Sequence, residues 1–356
     1  MKFPRYRNEV IQEDLEHIFS SPAIDWERFR DKTVLVTGAY GMLASYLVYA
    51  LCYASEKLNG SLKIVALGRS EKKARARFDG LLDMPFLEFH IADVSEPLPA
   101  GLPPAQYVIH AASPASSQYY DIIPAEVFLA NAIGTLNTLR FAQGCNAERY
   151  LLFSSGEVYG KVTGEYTFED DFGPLDSMDV RSCYGEGKRA AENLCASWAH
   201  EFHLDTVAVR PSHTYGPTMD IEKDQRVFAE FVGNAVRRED ILVKGNPNAQ
   251  RSFCYLSDAT TAYLKVLLDG IPGSAYNVAS VNGNITIGEL ARLVVSLSKG
   301  SNVSFGVHET GYLESPTLVH PQLATDRLQK LGVSCAVSPR EGFARTIRSF
   351  ELENTR

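Results

Sequence analysis

Thr33-Val34-Leu35-Val36-Thr37-Gly38-Ala39-Tyr40-Gly41-Met42-Leu43-Ala44 runs from a strand pattern into a helix pattern across two glycines. The β-branched run at 33–37 reads as a short buried strand, and Tyr46, Leu47, Ala50 and Leu51 continue at helical spacing. Between them, Gly38 and Gly41 permit a tight turn and close backbone approach, and Ala44 is small enough for the helix to lie on a sheet. A helix N-terminus that follows such a turn favours a pyrophosphate, so strand, turn and helix together predict a dinucleotide site. Gly38, Tyr40, Gly41 and Met42 are its first candidates.

Working outward, Lys63-Ile64-Val65-Ala66-Leu67 is the next strand, and its end should meet the adenosine ribose. An Asp or Glu there would accept from a 2′-hydroxyl. The sequence instead supplies Gly68-Arg69-Ser70, a cation and a hydroxyl suited to a 2′-phosphate, which favours NADP over NAD as the cofactor. Further strands follow at 86–91, 107–110, 150–153 and 206–210, with helical patterns near 42–57, 125–144 and 184–203. Alternation of this kind predicts an α/β protein, a Rossmann-type doubly wound parallel sheet. Residues 31–215 are read as the NAD(P)-binding domain, with 250–270 contributing to it. Residues 216–356, where the pattern breaks up, are read as a smaller, partly interleaved C-terminal substrate-binding domain. Val10, Ile11, Leu15, Ile18 and Phe19 mark residues 1–30 as a helical extension without chemistry.

Ligands of such sheets bind at the carboxyl ends of the strands. Asp93 follows the third strand and is placed near the adenine. Ala111, Ala112 and Ser113 follow the fourth, as candidates for the phosphates and ribose, and Ser154, Ser155 and Glu157 follow the fifth. Ser154 is read as turn or cap chemistry. Ser155 and Glu157 are read as site residues because they fall opposite the helix that carries Tyr184 and Lys188. Four residues apart, those two side chains share a helix face. A lysine ammonium near the phenol is expected to lower its pKa from about 10 by roughly 1–3 units, making it a base for a sugar or alcohol hydroxyl.

A formal charge of −8 argues against nucleic acid as the main partner, and no apolar run is long enough to span a membrane. The first residues lack a signal-peptide core, so a cytoplasmic location is expected. Six scattered cysteines and eight histidines show no ligand spacing, so no metal is expected.

Thr37-Gly38-x-x-Gly41, His110-Ala-Ala-Ser113, Asn131-x-x-Gly134-Thr135-x-Asn137, Ser154-Ser-Gly-Glu157-Val-Tyr-Gly160, Tyr184-x-x-x-Lys188 and Arg210-Pro-x-x-Thr-Tyr-Gly-Pro217 occur in one order. In that order they resemble the extended short-chain dehydrogenase/reductases that modify nucleotide sugars. Ala112-Ser-Pro-Ala-Ser116 with Tyr120, and Arg181-x-Cys-Tyr-x-Glu-Gly-Lys-Arg189, are most similar to the UDP-glucuronate decarboxylases among them.

The resemblance implies that Tyr184 removes the proton of the sugar 4-hydroxyl while hydride leaves C4, with Ser155 on the same oxygen and Lys188 on the ribose. It also adds Asn131 to the cofactor set and Tyr120, His213, Arg226 and Arg251 to the substrate set. A nucleotide-diphosphate sugar is the implied substrate and a homodimer the implied assembly. A 4-keto uronic acid loses carbon dioxide; a 4-keto hexose loses water if an acid protonates the leaving hydroxyl. The family's 4,6-dehydratases place Asp-Glu where this chain has Gly156-Glu157, and the decarboxylases place Ser-Glu. Decarboxylation of an NDP-uronic acid such as UDP-glucuronate is therefore favoured, with 4,6-dehydration or epimerisation as same-class alternatives. A catalytically silent dinucleotide sensor or scaffold is the different-class alternative, and the retained Tyr184, Lys188, Ser155 and Glu157 weigh against it.

Overall fold

The computed structural model describes residues 4–298, 300, 302–305 and 322–354. Its strands, in chain order, are β1 (Thr33–Thr37), β2 (Lys63–Gly68), β3 (Leu87–Ile91), β4 (Tyr107–His110), β5 (Arg149–Phe153), β6 (Tyr166–Thr167) and β7 (Asp205–Pro211). They continue as β8 (His213–Tyr215), β9 (Ile241–Val243), β10 (Gln250–Tyr255), β11 (Ser274–Val278), β12 (Asn284–Thr286), β13 (Val303–Phe305) and β14 (Gln322–Leu323). The helices are α1 (Glu9–Ser20), α2 (Met42–Lys57), α3 (Glu71–Arg77), α4 (Gln118–Ile122), α5 (Pro124–Gly144) and α6 (Cys183–Phe202). After these come α7 (Val227–Arg237), α8 (Leu256–Asp269), α9 (Ile287–Leu297), α10 (Asp326–Gln329) and α11 (Pro339–Asn354).

A parallel sheet in the order β11-β7-β5-β4-β1-β2-β3 forms the centre. The chain winds outward from β1 through β2 to β3, then returns to β4 and winds the other way. Its switch point therefore lies between β1 and β4, which pair with Thr37 opposite His110. The central strands β1, β4 and β5 are buried on both faces, which is why they read as continuous apolar runs rather than as alternations. Helix α2 is buried over Ala44–Ser55 because the sheet, α1 and α8 enclose it. No helix among the described residues is long and apolar enough to cross a membrane.

Residues 274–278 fall inside the range assigned by sequence to the second domain, yet β11 is the seventh strand of the central sheet, paired with β7. Its five residues carry no period that separates them from a turn-flanked loop. A second apolar core joins Tyr215, Phe228, Phe231, Phe253, Leu290, Phe343 and Phe350, drawn from β8, α7, β10, α9 and α11. Helix α1 bridges this core and the one that packs α2 on the central sheet. Its buried Asp14 accepts from Tyr46 Oη of α2 at 2.5 Å, Tyr255 Oη of β10 at 2.6 Å and Arg345 Nε of α11 at 2.9 Å.

Candidate active site

The turn after β1 is a cradle that side chains would fill. Gly38 has φ +63°, and a Cβ there would lie 2.6 Å from Ala112 Cα, so the turn packs directly against the segment after β4. Thr37 Oγ1 accepts from the amides of Ala111 and Ala112 at 3.2 Å each and shares a hydrogen bond with His110 Nδ1 at 2.8 Å. Burial holds His110 down to about pH 3, so the ring is neutral and this clamp of the switch point is uncharged. Gly41 N donates to Gly38 O at 2.8 Å and caps α2 without a side chain, so the first amides of the helix are left to a ligand or solvent. Gly38, Gly41, Met42, Ala111 and Ala112 are thus brought together in a shape and polarity that fit a dinucleotide pyrophosphate.

On the adenosine side, the ring of Tyr40 lies against Gly68, and Tyr40 Oη accepts from Arg69 N at 3.2 Å. The exposed Arg69 guanidinium reaches Asp93 at 3.5 Å. Asp93 Oδ1 also accepts from the amide and hydroxyl of Ser95, at 3.0 and 2.6 Å. Burial alone would raise that carboxyl, but the Ser95 donors and Arg69 outweigh it and leave its pKa below the ordinary value. Ser70 Oγ accepts from Lys73 N at 3.3 Å and so caps α3.

The chemistry gathers at the other side. A cleft of about 280 Å³ is lined by Tyr120, Ser155, Gly156, Glu157, Tyr184, His213, Arg226 and Arg251, among others. Seven of these eight were candidates from sequence, drawn from loops and elements far apart in the chain. Ser155 N-caps the one-turn helix Gly156–Tyr159 by accepting from Glu157 N at 3.2 Å, which fixes Glu157 at the cleft wall. Gly185 and Gly187 let α6 approach: a Cβ on them would lie 3.1 Å from Glu157 O and 3.1 Å from Asn131 Cβ. Tyr184 is thereby seated beside Ser155, and the Tyr120 ring stacks on it with centroids 5.1 Å apart and planes 15° apart. Asn131 is buried on α5 and donates to Val127 O at 2.8 Å.

The electrostatics of the Tyr-Lys pair differ from the expectation. Burial pushes the Tyr184 phenol up to about 12; the Ser155 hydrogen bond and Arg226 pull down, and Glu157 pushes up. Burial likewise drops Lys188 to about 7. Lys188 Nζ lies 5.7 Å from the Tyr184 ring centroid and donates to Phe153 O at 2.6 Å. The lysine is desolvated along with the tyrosine, so near neutral pH it is only partly a cation and cannot by itself pull the phenol down.

The arginines also divide. Arg226 forks onto Asp224 through Nε at 2.9 Å and Nη2 at 2.5 Å, so an acid already holds it. Among the described residues, half-buried Arg251 bonds a backbone carbonyl, Gln250 O at 2.7 Å, and no carboxylate, and burial lowers its pKa. It is the anion-seeking group of the cleft. Gly156 lines the cleft with nothing within 4 Å of where a Cβ would stand. Two serines that sequence reading set aside or passed over, Ser154 and Ser212, also line the cleft, each with a buried Oγ that has no hydrogen-bond partner. No spacing signals them; only the burial of the strand ends does. Among the described residues, no group of three or more His, Cys, Asp or Glu stands where it could hold a metal ion.

Residues 34–279 match the model of the NAD dependent epimerase/dehydratase family. The chain is 31% identical to UDP-glucuronic acid decarboxylase 6 of Arabidopsis thaliana over 319 residues, covering 90% of this chain and 89% of that protein. It is 29% identical to UDP-glucuronic acid decarboxylase 1 of Xenopus tropicalis over 349 residues, 97% of this chain and 79% of that one. Among solved structures, a dTDP-glucose 4,6-dehydratase from Streptomyces venezuelae with NAD bound superposes with a TM-score of 0.71 at 20% identity, covering 91% of this chain and 98% of that chain.

Proposed function

The chain belongs to the NAD dependent epimerase/dehydratase family, and on that footing we propose that it decarboxylates a nucleoside-diphosphate uronic acid such as UDP-glucuronate. The observation that carries the proposal is the cleft in which Tyr184, Ser155 and Glu157 face Arg251, an arginine that has no acid partner among the described residues. Arg251 takes the diphosphate, with Arg226 and His213 beside it, and the sugar extends toward Tyr184. Tyr184 accepts the 4-hydroxyl proton while Ser155 hydrogen-bonds the same oxygen. When bound, the oxidised dinucleotide supplies a hydride acceptor and a positive charge that offsets the burial cost of the Tyr184 phenolate. With a ketone at C4, the C5–C6 bond breaks, its electron pair enters an enolate whose oxygen Tyr184 and Ser155 contact, and carbon dioxide leaves. C5 would then take a proton from water entering the cleft, and the hydride held by the reduced dinucleotide would return to C4 as Tyr184 gives its proton back to the oxygen. Gly156 offers no acid for a leaving hydroxyl, which supports decarboxylation over dehydration.

The proposal includes an NADP preference, supported by exposed Arg69 and by Arg69 and Ser70 standing where an acid would directly follow β2. Arg69→Ala should weaken NADP far more than NAD in a binding titration; equal loss removes this part. It includes a homodimer, supported by exposed Phe128 and Leu129 on α5 and Phe202 on α6, helices that pack together and leave these apolar groups to a second copy. Light scattering at monomer mass would refute that part.

The test of the main proposal is mass spectrometry of the protein incubated with UDP-glucuronate and UDP-glucose. Loss of carbon dioxide from the first is the expected result; loss of water from the second, with the first untouched, would overturn it. Tyr184→Phe should abolish turnover while binding of the dinucleotide persists.

A further inference from the structure

The segment that carries Ser155 and Glu157 is gripped at both ends by α6. Lys188 Nζ donates to Phe153 O at 2.6 Å, just before the segment, and Arg189 Nε donates to Val158 O at 2.7 Å, just after Glu157. Arg189 Nη2 donates in addition to Gly173 O at 2.6 Å. Two adjacent residues of one helix thus fix the ends of the stretch that faces Tyr184 on that same helix. Lys188 is already read as part of the site. Arg189 closes the stretch Arg181–Arg189 and has no role in the reaction as described above.

The local structure explains why the grip is needed. Gly156–Tyr159 is a single 3-10 turn, too short to hold itself in place, and Ser155 caps only its start. The carbonyls at the end of such a turn need partners from outside it. From Gly160 the chain leaves on an excursion and returns at Gly173: Gly173 N donates to Tyr159 O at 2.7 Å, and Lys161 N donates to Pro174 O at 3.1 Å. Gly160 has φ +63°, and a Cβ there would stand 2.6 Å from Pro174 O, so the two limbs of the loop are in direct contact. One guanidinium spans both limbs and takes a carbonyl from each through two donors of its planar fork, a geometry that a lysine ammonium lacks. One helical turn earlier, Gly185 admits the carbonyl of Glu157 itself, with 3.1 Å to where a Cβ would be. The ion pair of Arg189 with Glu186 is long, at 3.7 Å, so its short bonds all go to the main chain of the loop. Arg189 and Val158 line a hollow separate from the cleft, so the arginine approaches the turn from behind the reacting groups.

We propose that Arg189 is a positioning residue that sets Glu157 at its place opposite Tyr184 without touching substrate or cofactor. The inference rests on the decarboxylase reading above.

The test is steady-state kinetics with UDP-glucuronate on the wild type, Arg189→Met, Arg189→Lys, Glu157→Gln and the double variant Glu157→Gln/Arg189→Met, with a UDP titration and a thermal melt of each. Arg189→Met should lower kcat about 10- to 100-fold, the cost of displacing a reacting group by about 1 Å, while KM and UDP affinity stay within about twofold. Arg189→Lys should fall between the wild type and Arg189→Met. Acting through Glu157, Arg189 has little left to contribute once the carboxylate is gone, so the double variant should be no more than about twofold slower than Glu157→Gln; independent losses would multiply. A kcat within twofold of wild type in Arg189→Met, losses that multiply, or a loss confined to KM and UDP affinity overturns the positioning role and leaves the decarboxylase reading standing. Should Arg189→Met fail to fold, Arg189→Lys alone and combined with Glu157→Gln is judged by the same criteria. A wild type that releases no carbon dioxide from UDP-glucuronate overturns that reading and this inference with it.

Discussion

Replacement of Arg251 by alanine should separate the two cleft arginines, which the sequence presents as equals. Arg251 is half-buried, bonds one backbone carbonyl and has no carboxylate beside it among the described residues, whereas Arg226 is forked onto Asp224. A hydrogen bond to a charged group is worth about 1.5–3 kcal/mol, so loss of the guanidinium that meets the diphosphate should weaken UDP by about 10- to 150-fold. Arg226 must exchange a satisfied, partly exposed ion pair for the phosphate, and such exchanges are worth about 0–1 kcal/mol; Arg226→Ala should cost about fivefold or less. Arg251→Lys keeps the charge but loses the fork, and should fall between wild type and alanine. The assay is isothermal titration with UDP at low and moderate salt, with the larger salt dependence in the protein that keeps Arg251. The unliganded protein should melt no lower in Arg251→Ala, since a half-buried cation without an acid partner is relieved by its removal. UDP affinity within twofold of wild type in Arg251→Ala, or a larger loss in Arg226→Ala, would refute the assignment.

Gly156→Asp should fold within about 0.5 kcal/mol of wild type, because the new Cβ meets nothing, and should yield a dehydrated product from an NDP-hexose; an intact variant with no such product above the wild-type level removes Gly156 as the determinant. Asp14→Ala leaves Arg345 and two tyrosine hydroxyls without their buried acceptor, so denaturant unfolding should show a loss of about 3–5 kcal/mol; a loss under about 1 kcal/mol would show that α1 is dispensable as a brace. Lys188 sits at about 7 in the folded protein against about 10.4 when unfolded, so between those values the unfolded chain binds more protons. The stability of the wild type relative to Lys188→Met should therefore rise with pH from 7 to 10, and a flat or falling difference in paired thermal melts would show that Lys188 is not desolvated.

What sequence could and could not reveal follows from how locally each property is set. The turn Gly38–Gly41 was legible because a positive φ and close packing on Ala112 admit only small residues, a constraint written at the position itself. The two seven-residue or shorter strands on either side of it, β1 and β2, were legible because burial on both faces forces unbroken apolar runs. Strand β11 was not, since its membership of the sheet is decided by β7 beside it and not by its own five residues. Residue types in the cleft were legible for the same reason as the turn: in the proposed reaction Tyr184, Ser155 and Glu157 are needed for what their functional groups do. Their protonation was not. The sequence places an ammonium one helical turn from a phenol, and Coulomb attraction alone would then lower the phenol. Folding removes water from both groups at once, and desolvation is a property of α6, β5 and the Tyr120 ring together. With Tyr184 near 12 and Lys188 near 7, the pair near neutral pH is a neutral acid beside an amine that is about half charged. Such a site holds its proton until a positive charge arrives, so the same burial that overturned the expectation from sequence also keeps the base from being spent before substrate and cofactor are both in place.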